Sequence, residues 1–306
     1  VDFKRDTMPE VMIEQALLVR RDEDVEFIAK SAAFPPVLLP DVQRIALEFG
    51  PARFTCHFVQ PLADFHIAVA EAFLDRDRAA GTIFRILIVP KKAYQEIVQD
   101  PWRLIDHFFG ASIEERSLDQ LCRTELPTLT WASEPAPRRM VNDIQAVLRH
   151  GDAPLLLGAA QALVDGARIV LERETPDREL LRGLWLLLPN RMRWELWPAT
   201  YVGKRGFAFN AFIVPPGVYR RFPDCLIEKQ IYDYPEARYE RSLQVAVESG
   251  DQNELDRLFA RRTAAQTLRL GLAILVGVLA LALIMRLMNA MLQPAINHPP
   301  PAATAR

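Results

Sequence analysis

The sequence predicts an α+β protein built from two mixed sheet-and-helix halves, followed by a helical stalk and a single C-terminal transmembrane helix. Three observations carry that expectation. Short β-branched and aromatic runs alternate with 3.6-periodic apolar stripes along residues 12–214. A proline-rich, unpatterned stretch, LPTLTWASEPAPRR, interrupts them at 126–139. The run LGLAILVGVLALALIM, Leu270 to Met285, holds no charged side chain. The implied organisation is an N-terminal α+β domain over 1–125, a linker over 126–139 and a second α+β domain over 140–235. A helical hairpin or stalk over 236–264, a transmembrane helix over 265–292 and a short disordered tail over 293–306 complete it.

In the first half, Met12–Arg20 and Val25–Ser31 form a hairpin around the charged tetrapeptide Arg21–Asp24. Asp41 caps a helix over Val42–Phe49, with Val42, Ile45, Ala46 and Phe49 on one side and Gly50 as its stop. Phe54–Val59, Phe65–Phe73 and Thr82–Val89 are rich in β-branched and aromatic residues between Pro, Asp and Gly breaks, and read as a sheet beneath that helix. Tyr94–Val98 and Trp102–Phe109 follow as helical pieces, the second with Asp100 as cap and Pro101 in its first turn.

In the second half, Met140–Arg149 reads as a helix, and Pro154–Leu163 and Ala167–Leu171 as strands around the Asp165-Gly166 turn. Thr175 caps and Pro176 opens a helix with Leu180, Leu181, Leu184, Leu187 and Leu188 buried. Arg191–Trp197, RMRWELW, alternates as a half-buried strand, and Phe207–Val214 supplies another, ended by Pro215. Tyr239–Glu248 and Glu254–Arg262 form a helix pair, with Asp251 and Glu254 as a capping box. GTIFRILIVPKKAY at Gly81–Tyr94 and GFAFNAFIVPPGVY at Gly206–Tyr219 share Gly, Phe, Ile-Val-Pro and Tyr at an offset of 125 residues. Either two related halves or a coincidence of proline-terminated strands accounts for the match.

The apolar run Leu270–Met285 spans about 24 Å as a helix, and its apolar neighbours extend it past a hydrocarbon layer of about 30 Å. It lacks the polar face that an in-plane helix needs. Arg261, Arg262 and Arg269 precede it and Arg286 follows it. That asymmetry predicts a single-pass protein of the cell inner membrane or plasma membrane, partnered with the lipid bilayer through 265–292, with its N-terminal domain in the cytoplasm.

The chain has 306 residues, 50% of them hydrophobic and 25% charged, enough to bury a conventional core. A formal charge of −2 argues against a general nucleic-acid field. The basic pairs Arg138-Arg139 and Arg220-Arg221 are too small for such a field and suit a membrane surface or a protein acid instead. The three cysteines, Cys56, Cys122 and Cys225, lie far apart and make neither a disulfide framework nor a thiolate metal site. No metal or cofactor is expected.

The chain carries no phosphate loop, no dinucleotide fingerprint, no HExxH and no GxSxG turn. The enzyme alternative is a cysteine hydrolase in which Cys56, or alternatively Cys225, is the thiol, with His66 as base and Asp64 as orienter, if the two strands bring Cys56 and His66 together. For binding, Trp197 with Arg193 and Glu195 on the polar face of RMRWELW forms a candidate partner-binding patch. The favoured expectation is a non-catalytic, membrane-anchored adaptor that recruits cytoplasmic proteins; a membrane-tethered cysteine hydrolase and a structural membrane component are the alternatives.

IEQALLVRRDEDVEFIAKSAAF at Ile13–Phe34, Phe49-Gly50, IVPKKAY at Ile88–Tyr94, Asp100–Trp102 and LLLPNRMRWELWPATY at Leu186–Tyr201 together resemble the bacterial GTPase-associated proteins of conflict systems. The likeness spans residues 12–215 and departs from one branch of the family in having Asp24-Val25 where that branch has Gly-His. The resemblance implies an accessory or adaptor protein, encoded beside a GTPase, without a catalytic centre.

Overall fold

A computed structural model describes residues 10–50, 52–63, 65–74, 81–109, 125–132, 136–203, 207–260 and 275–288. Residues 1–261 make one compact unit and 262–306 a second.

The first unit is organised by one sheet. Its N-terminal part is an antiparallel array of β1 (Glu10–Arg21), β2 (Asp24–Lys30), β3 (Cys56–Pro61), β4 (His66–Leu74) and β5 (Gly81–Pro90). Strand β6 (Leu129–Ala132) pairs with the start of β1 from Glu10 to Ile13, so the segment expected to be a free linker is stitched into the sheet. The later strands β7 (Ile169–Glu172), β8 (Pro198–Ala199), β9 (Ala211–Val214) and β10 (Leu226–Ile227) are short. The order is β10-β7-β9-β8-β3-β4-β5-β1-β2, so both halves of the chain share one sheet, joined where Phe58 of β3 meets Ala199 of β8.

Alternation along the central strands sends side chains to two apolar layers. Ile67, Val69, Leu87 and Val89 face one layer, while Ala68, Ala70, Phe84 and Ile86 face the other. Helix α1 (Leu39–Phe49) covers the second layer with Val42, Ile45, Ala46 and Phe49. The first layer is covered by α2 (Pro101–Phe108), α3 (Val141–His150), α4 (Ala153–Val164), α5 (Arg178–Leu187), α8 (Arg238–Glu248) and α9 (Gln252–Ala260). Two small helices, α6 (Met192–Glu195) and α7 (Glu228–Tyr232), lie between these elements in sequence.

Several elements differ from the expectation. Pro154–Leu163 is helix α4, not a strand: Asp152 caps it by accepting from the Leu155 amide at 3.2 Å, and its run of apolar residues is buried nearly all round, which erases the period that separates helix from strand. Asp177, not Thr175, caps α5, accepting from the Leu180 amide at 2.9 Å. The alternating RMRWELW is no strand: Met192–Glu195 form the single helical turn α6, with Met192 and Arg193 buried. The matched strands β5 and β9 also diverge: β5 runs antiparallel between β4 and β1, whereas β9 runs parallel to both β7 and β8.

The helix pair α8 and α9 is no stalk. Leu255, Leu258 and Phe259 are buried, and the Asn190 amide donates to the Phe259 carbonyl at 2.8 Å.

The transmembrane helix expected over 265–292 is overturned. Among the described residues no helix is long and apolar enough to cross a membrane. The residues described there, 275–288, are helical. The expectations built on it fall together: a lipid-bilayer partner through 265–292, single-pass location in the inner or plasma membrane, and the membrane-anchored, tethered or structural-membrane functions. Of the arginines expected to flank the span, Arg286 lies in the described helix, while Arg261, Arg262 and Arg269 lie outside the described residues.

Candidate functional site: an arginine-lined cleft

Helix α5 stops before Pro189, because the residue ahead of a proline is driven out of the helical region, and Leu188 has an extended ψ of 149°. Its last carbonyls therefore need partners from elsewhere. Arg139 supplies them: its Nη1 donates to the carbonyls of Leu186 and Leu188, each at 2.7 Å, and its Nη2 donates to Asn190 Oδ1. The guanidinium carbon stands 3.4 Å from the ring centre of Phe259, a cation–π contact that closes its other side.

Arg139 can reach that position because the preceding Ala136-Pro137-Arg138 segment is not helical and α3 starts only at Val141. The segment is pinned by Gln252 of α9, whose Nε2 donates to the Arg139 carbonyl at 3.0 Å and whose Oε1 accepts from the Val141 amide at 2.9 Å. The same Gln252 amide donates to Asp256 Oδ1 at 3.0 Å, and Asp256 Oδ2 accepts from Arg138 Nε at 3.1 Å.

Arg193 enters from α6. It is buried, its Nη2 donates to Asp100 Oδ2, and its Nε has no hydrogen-bond partner among the described residues. The α6 turn is held from behind by Trp185, whose Nε1 donates to the Arg193 carbonyl at 3.0 Å. Gln99, in the left-handed region at φ 59°, ends the helical turn of Tyr94–Val98 and leads into Asp100.

These groups line a cavity of about 290 Å³, with Gln99, Arg138, Arg139, Asn190, Arg193 and Asp256 as its polar walls. Burial pulls the guanidiniums of Arg139 and Arg193 down to about 10, so both stay cationic at neutral pH. The hydrogen bond from Arg138 holds the Asp256 carboxyl below its ordinary range. Three guanidiniums meet two carboxylates, Asp100 and Asp256, which leaves one positive charge in excess. Such an arrangement can hold an oxyanion by charge-assisted hydrogen bonds.

The cysteine site is not assembled. Cys56 pairs with Ala72 at one end of the β3–β4 hairpin, whereas His66 pairs with Pro90 beyond its other end. The Cys56 thiol donates to the Phe54 carbonyl at 3.0 Å within an apolar cluster, and burial pushes it up to about 12, the reverse of an activated thiolate. Cys225 is buried in the same apolar cluster, and Asp64 and Cys122 lie outside the described residues. The tethered cysteine hydrolase therefore loses its thiol as well as its tether. No group of metal-binding side chains occurs among the described residues.

The patch read on RMRWELW is dispersed. Trp197 is half-buried with its amide donating to Asn210 Oδ1 at 2.9 Å; Glu195 accepts from Arg191 at 2.6 Å; Arg193 turns into the cleft. Sequence reasoning missed that Arg139, Asn190, Asp256 and Gln99 line one cavity with Arg193. Their only local signal is the basic pair Arg138-Arg139 beside a proline.

A second buried polar group crosses the sheet. His57, Glu71 and Arg85 are successive cross-strand neighbours on β3, β4 and β5, and Arg85 reaches Gln15 Oε1 at 3.3 Å and the Phe108 carbonyl at 2.9 Å. His57 Nε2 faces Glu71 Oε1 at 3.3 Å. This row separates the large first layer from a small cluster of Leu17, Val19, Ala29, Phe73 and Ile83. It was visible in sequence as polar positions interrupting apolar alternation at inward-facing sites.

No protein-family model matches the chain, and no curated protein matches it.

Proposed function

We propose that the protein is a binding module for an anionic group, taken up in the arginine-lined cleft. One observation carries the reading: three guanidiniums, Arg138, Arg139 and Arg193, line one cavity and meet two carboxylates, Asp100 and Asp256, which leaves one positive charge in excess. An oxyanion in the cleft offsets that charge through charge-assisted hydrogen bonds. Arg139 and Asn190 hold the adjoining wall in place, and the guanidinium geometry suits carboxylate or phosphate.

The resemblance to GTPase-associated proteins agrees with a module that acts by binding, and the proposal does not depend on it. The test is calorimetric titration of the full chain with inorganic phosphate and with acetate at fixed ionic strength. Saturable heat with one site per chain, weakened at least tenfold in Arg138→Ala, whose side chain is exposed, is expected. Heat that fails to saturate, or that survives Arg138→Ala unchanged, sinks the reading.

A further inference from the structure

Resting on that reading, we infer that the ligand is a tetrahedral, phosphate-type oxyanion that takes the place of Asp256 on Arg138. The wall of the cleft divides into a fixed part and an exchangeable part. Arg139 and Arg193 are fixed by burial, the first by the Leu186 and Leu188 carbonyls and the second by Asp100. Arg138 is different. Its side chain is 58% exposed and its partner Asp256 39% exposed. An ion pair this wet contributes little, so a carboxylate held in it is readily exchanged for another oxyanion. Asp256 does not go unpartnered on release, because Gln252 Nε2 still donates to its Oδ1 at 3.0 Å.

Charge favours an anion: Asp100 compensates Arg193, and Asp256 stays in the wall after leaving Arg138, so Arg138, Arg139 and Asp256 keep one positive charge in excess. Direction selects shape. The donors come from three segments, with Arg138 and Arg139 before α3, Asn190 after α5 and Arg193 on α6. A tetrahedral oxyanion presents oxygens along several directions and meets such a set, whereas the two coplanar oxygens of a carboxylate are matched by a single guanidinium fork.

The cleft does not offer a seat for a nucleobase. Phe259 is the one aromatic ring among the described lining residues, and Arg139 occupies its face at 3.4 Å. A volume of about 290 Å³ lies at the small end of ligand cavities, roughly 300–1,000 Å³. The cleft therefore reads a phosphoryl group on a small, non-aromatic carrier.

The experiment titrates the full chain with inorganic phosphate, glycerol 3-phosphate and acetate at pH 7.5, comparing wild type with Asp256→Asn and Arg138→Ala. Arg138 is exposed and Asp256 half-buried, and neither belongs to the packed core. The expected result is that both phosphates bind at least tenfold more tightly than acetate, that Asp256→Asn tightens phosphate several-fold, and that Arg138→Ala weakens it about tenfold. Equal affinity for acetate and phosphate, or a phosphate affinity indifferent to Asp256→Asn, overturns this inference while leaving anion binding standing. Saturable binding of none of the three removes both.

Discussion

The two carboxylate oxygens of Asp100 serve two different residues: Oδ1 accepts the amide of Trp102 at 3.1 Å, capping α2, and Oδ2 accepts from Arg193 Nη2. One side chain thus fixes the start of a helix in the first half of the chain and a turn lying 93 residues later. Both partners of the ion pair are more than nine-tenths buried.

Removing one charge from that pair leaves the other stranded. Arg193→Met is expected to lower unfolding free energy by about 3–5 kcal/mol, and Asp100→Ala by a similar amount, since the cap is lost as well. The double variant Asp100→Ala/Arg193→Met should recover part of the loss. Urea denaturation measures all three, and strictly additive effects would show that the two side chains do not act as a pair.

Arg139 is expected to be irreplaceable by lysine. An ammonium cannot donate simultaneously to the Leu186 and Leu188 carbonyls and to Asn190 while lying flat on Phe259. Arg139→Lys should cost about 1–3 kcal/mol of stability, read from the urea midpoint, because buried carbonyls lose donors. A variant as stable as wild type would show that those carbonyls find water instead.

The Cys56 thiol supplies a pH signature. In the unfolded chain it ionises near its ordinary value of 9.0, and in the folded chain burial holds its proton to about 12. The folded state therefore binds more protons above pH 9, and its stability falls as pH rises from there toward 12. The stability difference between wild type and Cys56→Ala should shrink by about 1.4 kcal/mol between pH 8 and pH 10. A difference that is flat across that range would place the thiol in contact with solvent.

Gly158 on α4 is expected to reject alanine although alanine is the better helix former. A Cβ there would lie 2.5 Å from the Ile231 carbonyl oxygen, a backbone atom of α7 that cannot move aside alone. The clash should outweigh the roughly 1 kcal/mol of helix propensity gained, leaving Gly158→Ala about 1–3 kcal/mol less stable. A rise in the thermal midpoint would refute the close approach of α4 and α7.

The first-half elements were legible wherever alternation or a cap was local. Val42, Ile45, Ala46 and Phe49 do share the buried side of α1, and Asp100 does cap α2 ahead of Pro101. Periodicity failed at Pro154–Leu163 because a helix buried on nearly all sides has no polar face to reveal its period. It failed at RMRWELW because a single helical turn is too short to show one.

What the sequence by itself determined is this local grammar: which residues are apolar, where proline and glycine break the backbone, and which α+β class results. Only the tertiary structure decided that both halves share one sheet and that Arg138, Arg139, Arg193 and Asp256 line one cleft. The physical reason is range. Backbone preference acts over a few residues, whereas the Arg138–Asp256 contact joins positions 118 residues apart and exists only once the packing of α9 against the residues before α3 has brought them together.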